Sequence, residues 1–356
     1  MIRPARPLLA FALIALLAAA PPPLRARDED QDDLDNEEFV ENVPDRMPRL
    51  REVSPATDSL KQALARPLTV RFAGVPARDV IAYVRAAAKV NLVARETVLA
   101  ARREPVSFSA EDEPAWRILW AAVDRQDQVW IADANVLVLA GKDGLREFVR
   151  QLADCPLLPA ERKTLSPRER ETLEALDKPV SVRFVRAPLP DVLAFVAQAV
   201  GARIVADRLP AEARVTLDLK RVAAGRVLRH VLVPRGLAWT VLENAVVVGT
   251  PERLRKFLAF RRRDRGLDKA APAVREALAK QISFELADVP AADAFAFLQN
   301  ALGLEISVLG GAARTPLSLK LDEVRAAAAL DLLCFRTGLD WEIGADRIIV
   351  RPPEKP

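Results

Sequence analysis

Few residues in this 356-residue chain are of a type and spacing that support chemistry. His230 is the single histidine, so neither a histidine-dependent triad nor a metal site with several histidine ligands can be assembled. The sequence has no phosphate loop, no nucleotide-binding glycine cluster and no Gly-x-Ser-x-Gly elbow. Acids are plentiful, but spacing alone picks out no carboxylate pair. Three of them recur in one setting: Asp79, Asp191 and Asp293 each stand three residues after a proline. That spacing places them in the first turn of a helix, facing the positive end of its dipole, which is a structural role. The expectation is a non-catalytic protein without catalytic residues, cofactor or metal.

Two candidates for binding remain. Trp116 and Trp120 are four apart on one helical side, off the core face, and aromatics make up only 5% of the chain. They either pack on the adjoining linker helix or a neighbouring module, or form a partner-binding stripe. The run Arg261, Arg262, Arg263, Asp264, Arg265, with Arg253, Arg255 and Lys256 before it, is the strongest basic cluster. It reads as a solvated linker face or as an attraction for anionic lipid, envelope polymer or an acidic segment of the chain itself. Nucleic acid is not expected, because a Gly-x-x-Gly clamp and zinc spacing are both missing.

The elements that carry these residues recur three times. The acids at 79, 191 and 293 lie 51, 48 and 48 residues before Trp130, Trp239 and Trp341. Self-similarity at that distance indicates one folding unit in tandem. After each acid the apolar positions agree: Val80, Ile81, Tyr83, Val84 and Ala88; Val192, Leu193, Phe195, Val196 and Val200; Ala294, Phe295, Phe297, Leu298 and Leu302. That is one face of a helix. Period-two runs precede it, with Leu68, Val70, Phe72, then Val180, Val182, Phe184, then Ile282, Phe284, Leu286, as in half-buried strands. Gly201 and Gly303 stand where the helix should end, and Lys89 departs from them. Further strands follow near Leu92, Ile204 and Ile306 and near Val106, Val215 and Leu317, then a second helix, then a hairpin beginning at the tryptophan. Cys334 falls in the slot of Val123 and Leu232, a small buried position, whereas Cys155 lies in a linker. Whether the two pair is left open. The fold class is α+β: three small β-α-β-β-α-β-β modules joined by helical linkers.

The Pro-x-x-Asp-apolar-apolar helix and the later stretch Leu330 to Trp341, ending Thr337-Gly338-Leu339-Asp340-Trp341, resemble the short N-terminal (STN) domain of secretins and TonB-dependent receptors. Pro234-Arg235-Gly236-Leu237-Ala238-Trp239 repeats that ending, while Gln126-Asp127-Gln128-Val129-Trp130 lacks its glycine. The resemblance covers residues 67–140, 179–250 and 281–352. It implies a periplasmic adaptor domain used in secretion, transport or signalling, here without the barrel that accompanies it in those families.

The remainder fits export. Arg3 and Arg6, the apolar run Leu8 to Ala20 and the segment through Ala26 read as a signal peptide cleaved near Ala26, with an inner-membrane anchor as the alternative. Residues 27–57 read as an acidic disordered tail, with nine acids between Asp28 and Glu41. The net charge of +4 thus conceals a body, residues 42–356, that carries +9 once the acidic run Asp28 to Glu41 and the four arginines before that run are set aside. The first module with its lead-in helix spans 58–140, a helical linker 141–178, the second module 179–250, a basic helical linker 251–280 and the third module 281–352. The functional expectation is a periplasmic adaptor that docks on subunits of a secretion or transport assembly. A periplasmic ligand- or polymer-binding protein and a passive spacer are the alternatives. Oligomeric state is not readable.

Overall fold

A computed structural model describes residues 43–44, 46–95, 98–99, 104–123, 128–158, 164–207, 209–210, 212–263, 265–309, 316–344 and 347–353. The expected signal peptide and acidic run, Asp264, and the hairpin tip Ala345-Asp346 lie outside the described residues. The chain is of the α+β class.

The first module holds β2 (Pro67–Val75), α2 (Ala77–Ala88), β3 (Asn91–Ala94), β4 (Val106–Pro114), α3 (Ala115–Ala122), β5 (Gln128–Asp133) and β6 (Val136–Gly141), preceded by β1 (Arg51–Ser54) and the lead-in helix α1 (Asp58–Leu64). Helices α4 (Leu145–Ala153) and α5 (Pro167–Asp177) lead to the second module: β7 (Pro179–Pro188), α6 (Leu189–Val200), β8 (Arg203–Ala206), β9 (Arg214–Ala223), α7 (Ala224–Leu232), β10 (Ala238–Leu242) and β11 (Ala245–Gly249). Helices α8 (Pro251–Arg261) and α9 (Pro272–Ala279) lead to the third: β12 (Gln281–Pro290), α10 (Ala291–Leu302), β13 (Ile306–Val308), β14 (Pro316–Arg325), α11 (Ala326–Thr337), β15 (Asp340–Ile343) and β16 (Ile348–Arg351). Each module pairs its long strands as an antiparallel ribbon, β2 with β4, β7 with β9 and β12 with β14. Each also builds a second sheet, in the orders β5-β6-β3, β10-β11-β8 and β15-β16-β13.

The ribbons are longer than their apolar alternation indicates, because two bulges interrupt each one. At one bulge Asp112, Arg221 and Glu323 take positive φ. Their N–H groups donate to the hydroxyls of Thr69, Ser181 and Ser283 at 3.1, 3.0 and 2.8 Å. At the other, Gly74, Arg186 and Asp288 take positive φ and donate to Ser107, Thr216 and Ser318 at 2.9, 3.1 and 3.0 Å. A hydroxyl on the facing strand thereby satisfies the N–H that each bulge removes from the ladder.

Pro76, Pro188 and Pro290 are the capping residues of the three helices, and Asp79, Asp191 and Asp293 sit exposed in the first turn, as their spacing predicts, each at the third helical position. Lys89 ends α2 in the left-handed conformation, φ 57°, that Gly201 and Gly303 adopt at the equivalent ends.

The cores are not three separate lobes. Trp130, Ala132, Leu137 and Leu139 face the first module's own core, whereas Ile131, Val136, Val138 and Ala140 on the same two strands join a second core. That second core runs through both later modules and the helices between them. Strands β10 and β11 are buried along their whole length, which is why Ala245-Val246-Val247-Val248 is continuously apolar. The linkers are therefore walls of shared cores rather than bare struts.

The chain segment that precedes each module meets the outer edge of its hairpin. Strand β1 pairs in parallel with β5 and covers that edge, whereas β10 and β15 remain the outer strands of their sheets. There Leu157 N–H donates to Trp239 O at 2.8 Å and Ile343 N–H donates to Arg265 O at 3.2 Å.

Candidate interaction surfaces

The first junction between modules is built around Asp133, the last residue of β5. Its carboxylate is fully buried and meets Arg226 Nη1 at 2.6 Å, Arg229 Nη1 at 2.9 Å and His230 Nε2 at 3.2 Å, all from α7 of the second module. Burial alone would raise this carboxyl, but the contact with His230 and the charges of Arg229 and Arg226 outweigh it and hold the group well below the usual carboxylate range. Arg229 also donates to Cys155 O at 2.7 Å, tying the linker into the same cluster. His230 is thus a junction residue. Among the described residues no group of three or more His, Cys, Asp or Glu is placed to hold a metal ion.

At the second junction the ionic contacts move by one turn. Glu243, in the β10–β11 turn and 2% exposed, accepts from Arg325 Nε at 2.6 Å. Asp331 on α11 occupies the position of Arg229 and has the opposite charge. It is met by Arg265 and, at 3.8 Å, by Arg261, and accepts from Trp341 Nε1 at 2.8 Å. Arg261 also donates to buried Glu169 at 3.0 Å. The Arg265 guanidinium lies 4.2 Å from the Trp341 ring centroid and 5.2 Å from that of Phe260.

The basic run is accordingly not a uniformly solvated face. Arg261 and Arg265 clamp α8 and the following turn to the third module, and Arg263 reaches Asp340 at 3.6 Å. Arg262 caps α8 and is exposed. Together with Leu165, Leu258 and Arg325, the run's Arg261, Arg262 and Arg265 line a cleft of about 640 Å³ between α8 and the third module.

Trp116 and Trp120 are not an exposed stripe. Trp116 is 7% exposed inside the first module's core, and Trp120 is half-buried with its ring 6.0 Å from that of Trp130. The lead-in helix α1 packs on α3 and covers that side. In the second module the equivalent of Trp116 is Gly225, where the lead-in helix comes closer: a β-carbon there would stand 3.5 Å from Leu176 Cβ.

Cys155 and Cys334 are free and buried. Burial pushes the Cys155 thiol up to about 11 and the Cys334 thiol well above its ordinary value, so both are held as unreactive thiols.

One surface feature was misplaced by helical periodicity. Tyr83, Phe195 and Phe297, counted from the sequence as part of the core face, are 40%, 45% and 43% exposed. They lie at the rim of the apolar stripe, each lodged against a ribbon phenylalanine: Phe72 at 5.6 Å, Phe184 at 5.6 Å and Phe284 at 5.4 Å between ring centroids. The signal was an aromatic in all three copies at a slot where leucine or valine would serve a core equally well. Among the described residues no helix is long and apolar enough to cross a membrane. No protein-family model, curated protein or solved structure matches this chain.

Proposed function

We propose that the protein is a non-catalytic interaction scaffold of the bacterial cell envelope, exported to the periplasm, whose three STN-like units dock on subunits of a secretion or transport assembly. The Pro-x-x-Asp helices, the Gly-Leu-x-Trp endings and the signal-like amino terminus support this reading. The observation that carries it is the set of half-exposed rings of Tyr83, Phe195 and Phe297, one per module at one helical position. Rigid aromatic rings with one face free are efficient anchors for a protein partner, and three of them on a shared framework offer multivalent attachment. A photo-crosslinker at exposed Gln198, beside Phe195, tests this in whole cells. Adducts with an envelope assembly subunit that disappear in the Tyr83→Ala/Phe195→Ala/Phe297→Ala protein are expected. Adducts unaffected by the triple substitution, or none at all, would refute it.

The cleft beside α8 favours a second reading, an anionic envelope polymer bound at exposed Arg262. The Arg261–Glu169, Arg325–Glu243 and Arg265–Asp331 pairs already occupy most of its charge, so the scaffold reading is preferred. Saturable binding of such a polymer that is lost in Arg262→Ala would reverse that preference.

A further inference from the structure

The two junctions use one contact at equivalent positions. Asn91, just before the core residues of β3, donates to Lys220 O at 3.0 Å and accepts from Lys220 N–H at 2.8 Å. Arg203, in the same place on β8, forms an ion pair with Asp322. Lys220 and Asp322 are equivalent residues, each in the bulge of the following module's ribbon. The hairpin tips reinforce the contact: Asn135 donates to Arg221 O at 3.1 Å and Asn244 to Asp322 O at 2.6 Å. Each junction therefore joins a donor end, made by the start of the short strand and the hairpin tip, to an acceptor bulge.

Among the described residues two counterparts of this arrangement have no module against them, the start of β13 and the bulge of β4. Glu305, immediately before β13, is the third module's equivalent of Asn91 and Arg203, and it pairs with Arg347 at 2.9 Å. Glu111 and Asp112 form the bulge of β4, with the same positive φ and the same hydroxyl partner as the two acceptor bulges in use. Among the described residues, no module docks on either half. Inside the chain the contact position holds no like charges: Asn91 meets the backbone of Lys220, and Arg203 pairs with Asp322. Between the ends it would set Glu305 against Glu111.

We propose that the β13 end is a docking surface for a βα module of this same class that presents Lys or Arg at the bulge position, and that Glu111 keeps a second copy of this chain from taking that place. A head-to-tail contact that does not close on itself propagates into open filaments, so like charges at the meeting point act as a stop. The inference rests on the junction geometry alone and stands apart from the aromatic surface considered above.

Charge reversal in the full-length protein tests it by sedimentation velocity. Glu111→Lys gives every copy a basic bulge opposite the Glu305 end of another. About tenfold or greater strengthening of salt-sensitive self-association over wild type is expected, with an unchanged melting temperature. Glu305→Lys, which sets a base opposite Glu111, should associate likewise, and is the alternative should Glu111→Lys fold poorly. Glu111→Lys/Glu305→Lys restores like charges and should sediment as wild type does. Two folded single variants that associate no more than wild type, or association that persists in the double variant, would overturn the proposal.

Discussion

Oδ2 of Asp133, at the end of the first module's β5, lies 3.2 Å from Nε2 of His230 on the second module's α7, across 97 residues of sequence. With Arg226 and Arg229 on the same carboxylate, this buried cluster welds the two modules. Asp133→Asn leaves the positive groups without their counter-charge and is expected to cost about 3 to 5 kcal/mol in denaturant unfolding. The folded carboxyl is held below its ordinary value, so its contribution is complete above about pH 4 and is lost as pH falls further, toward the folded value. The gap between wild type and Asp133→Asn should therefore be constant from neutral pH to about pH 4 and narrow in stronger acid.

Arginines of the basic linker are expected to divide by partner. Arg265→Ala strips buried Asp331 of its closest charge and Trp341 of its stacked cation, and should lower unfolding free energy by about 3 kcal/mol or more. Arg262→Ala, at an exposed cap, should stay within about 0.5 kcal/mol of wild type. Equal effects would mean that the run is solvated throughout.

Trp116→Ala is expected to cost about 3 to 5 kcal/mol, because it empties a site in the first module's core. A native-like melting curve for this variant would return the tryptophan to the surface.

Lys89 ends α2 in a conformation that strains every residue with a β-carbon. Its side chain is exposed, so Lys89→Gly should stabilise the protein by about 1 kcal/mol.

The pattern of apolar residues made the helices and the succession of strands legible, because Val80, Val84 and their counterparts repeat the helical period in each copy. The ribbon bulges were not, since alternation stops at Asp112, Arg221 and Glu323, and the serines and threonines that close them have no periodic signature. The junction clusters were hidden for a different reason. Nothing in the spacing of Arg226, Arg229 and His230 points to Asp133, which only the fold brings to them. Tyr83 lies one position outside the buried stripe, a distinction that turns on the exact path of the ribbon beneath it. For Trp116 and Trp120 the sequence left packing on the adjoining helix and a partner-binding stripe both open, because α1 belongs to the approach to the module rather than to the repeated pattern; Trp116 proves to be buried.

Rigid docking of the modules on one another underlies both proposed surfaces. Cys155 and Cys334 are buried with raised thiol values, so spin labels can be directed to D79C and D293C, exposed equivalent positions in the first and third modules. Pulsed electron–electron resonance on that labelled full-length protein should give one narrow distance distribution, broadened by Asp133→Asn. A broad distribution in the otherwise wild-type chain would contradict the docked arrangement on which both proposals rest.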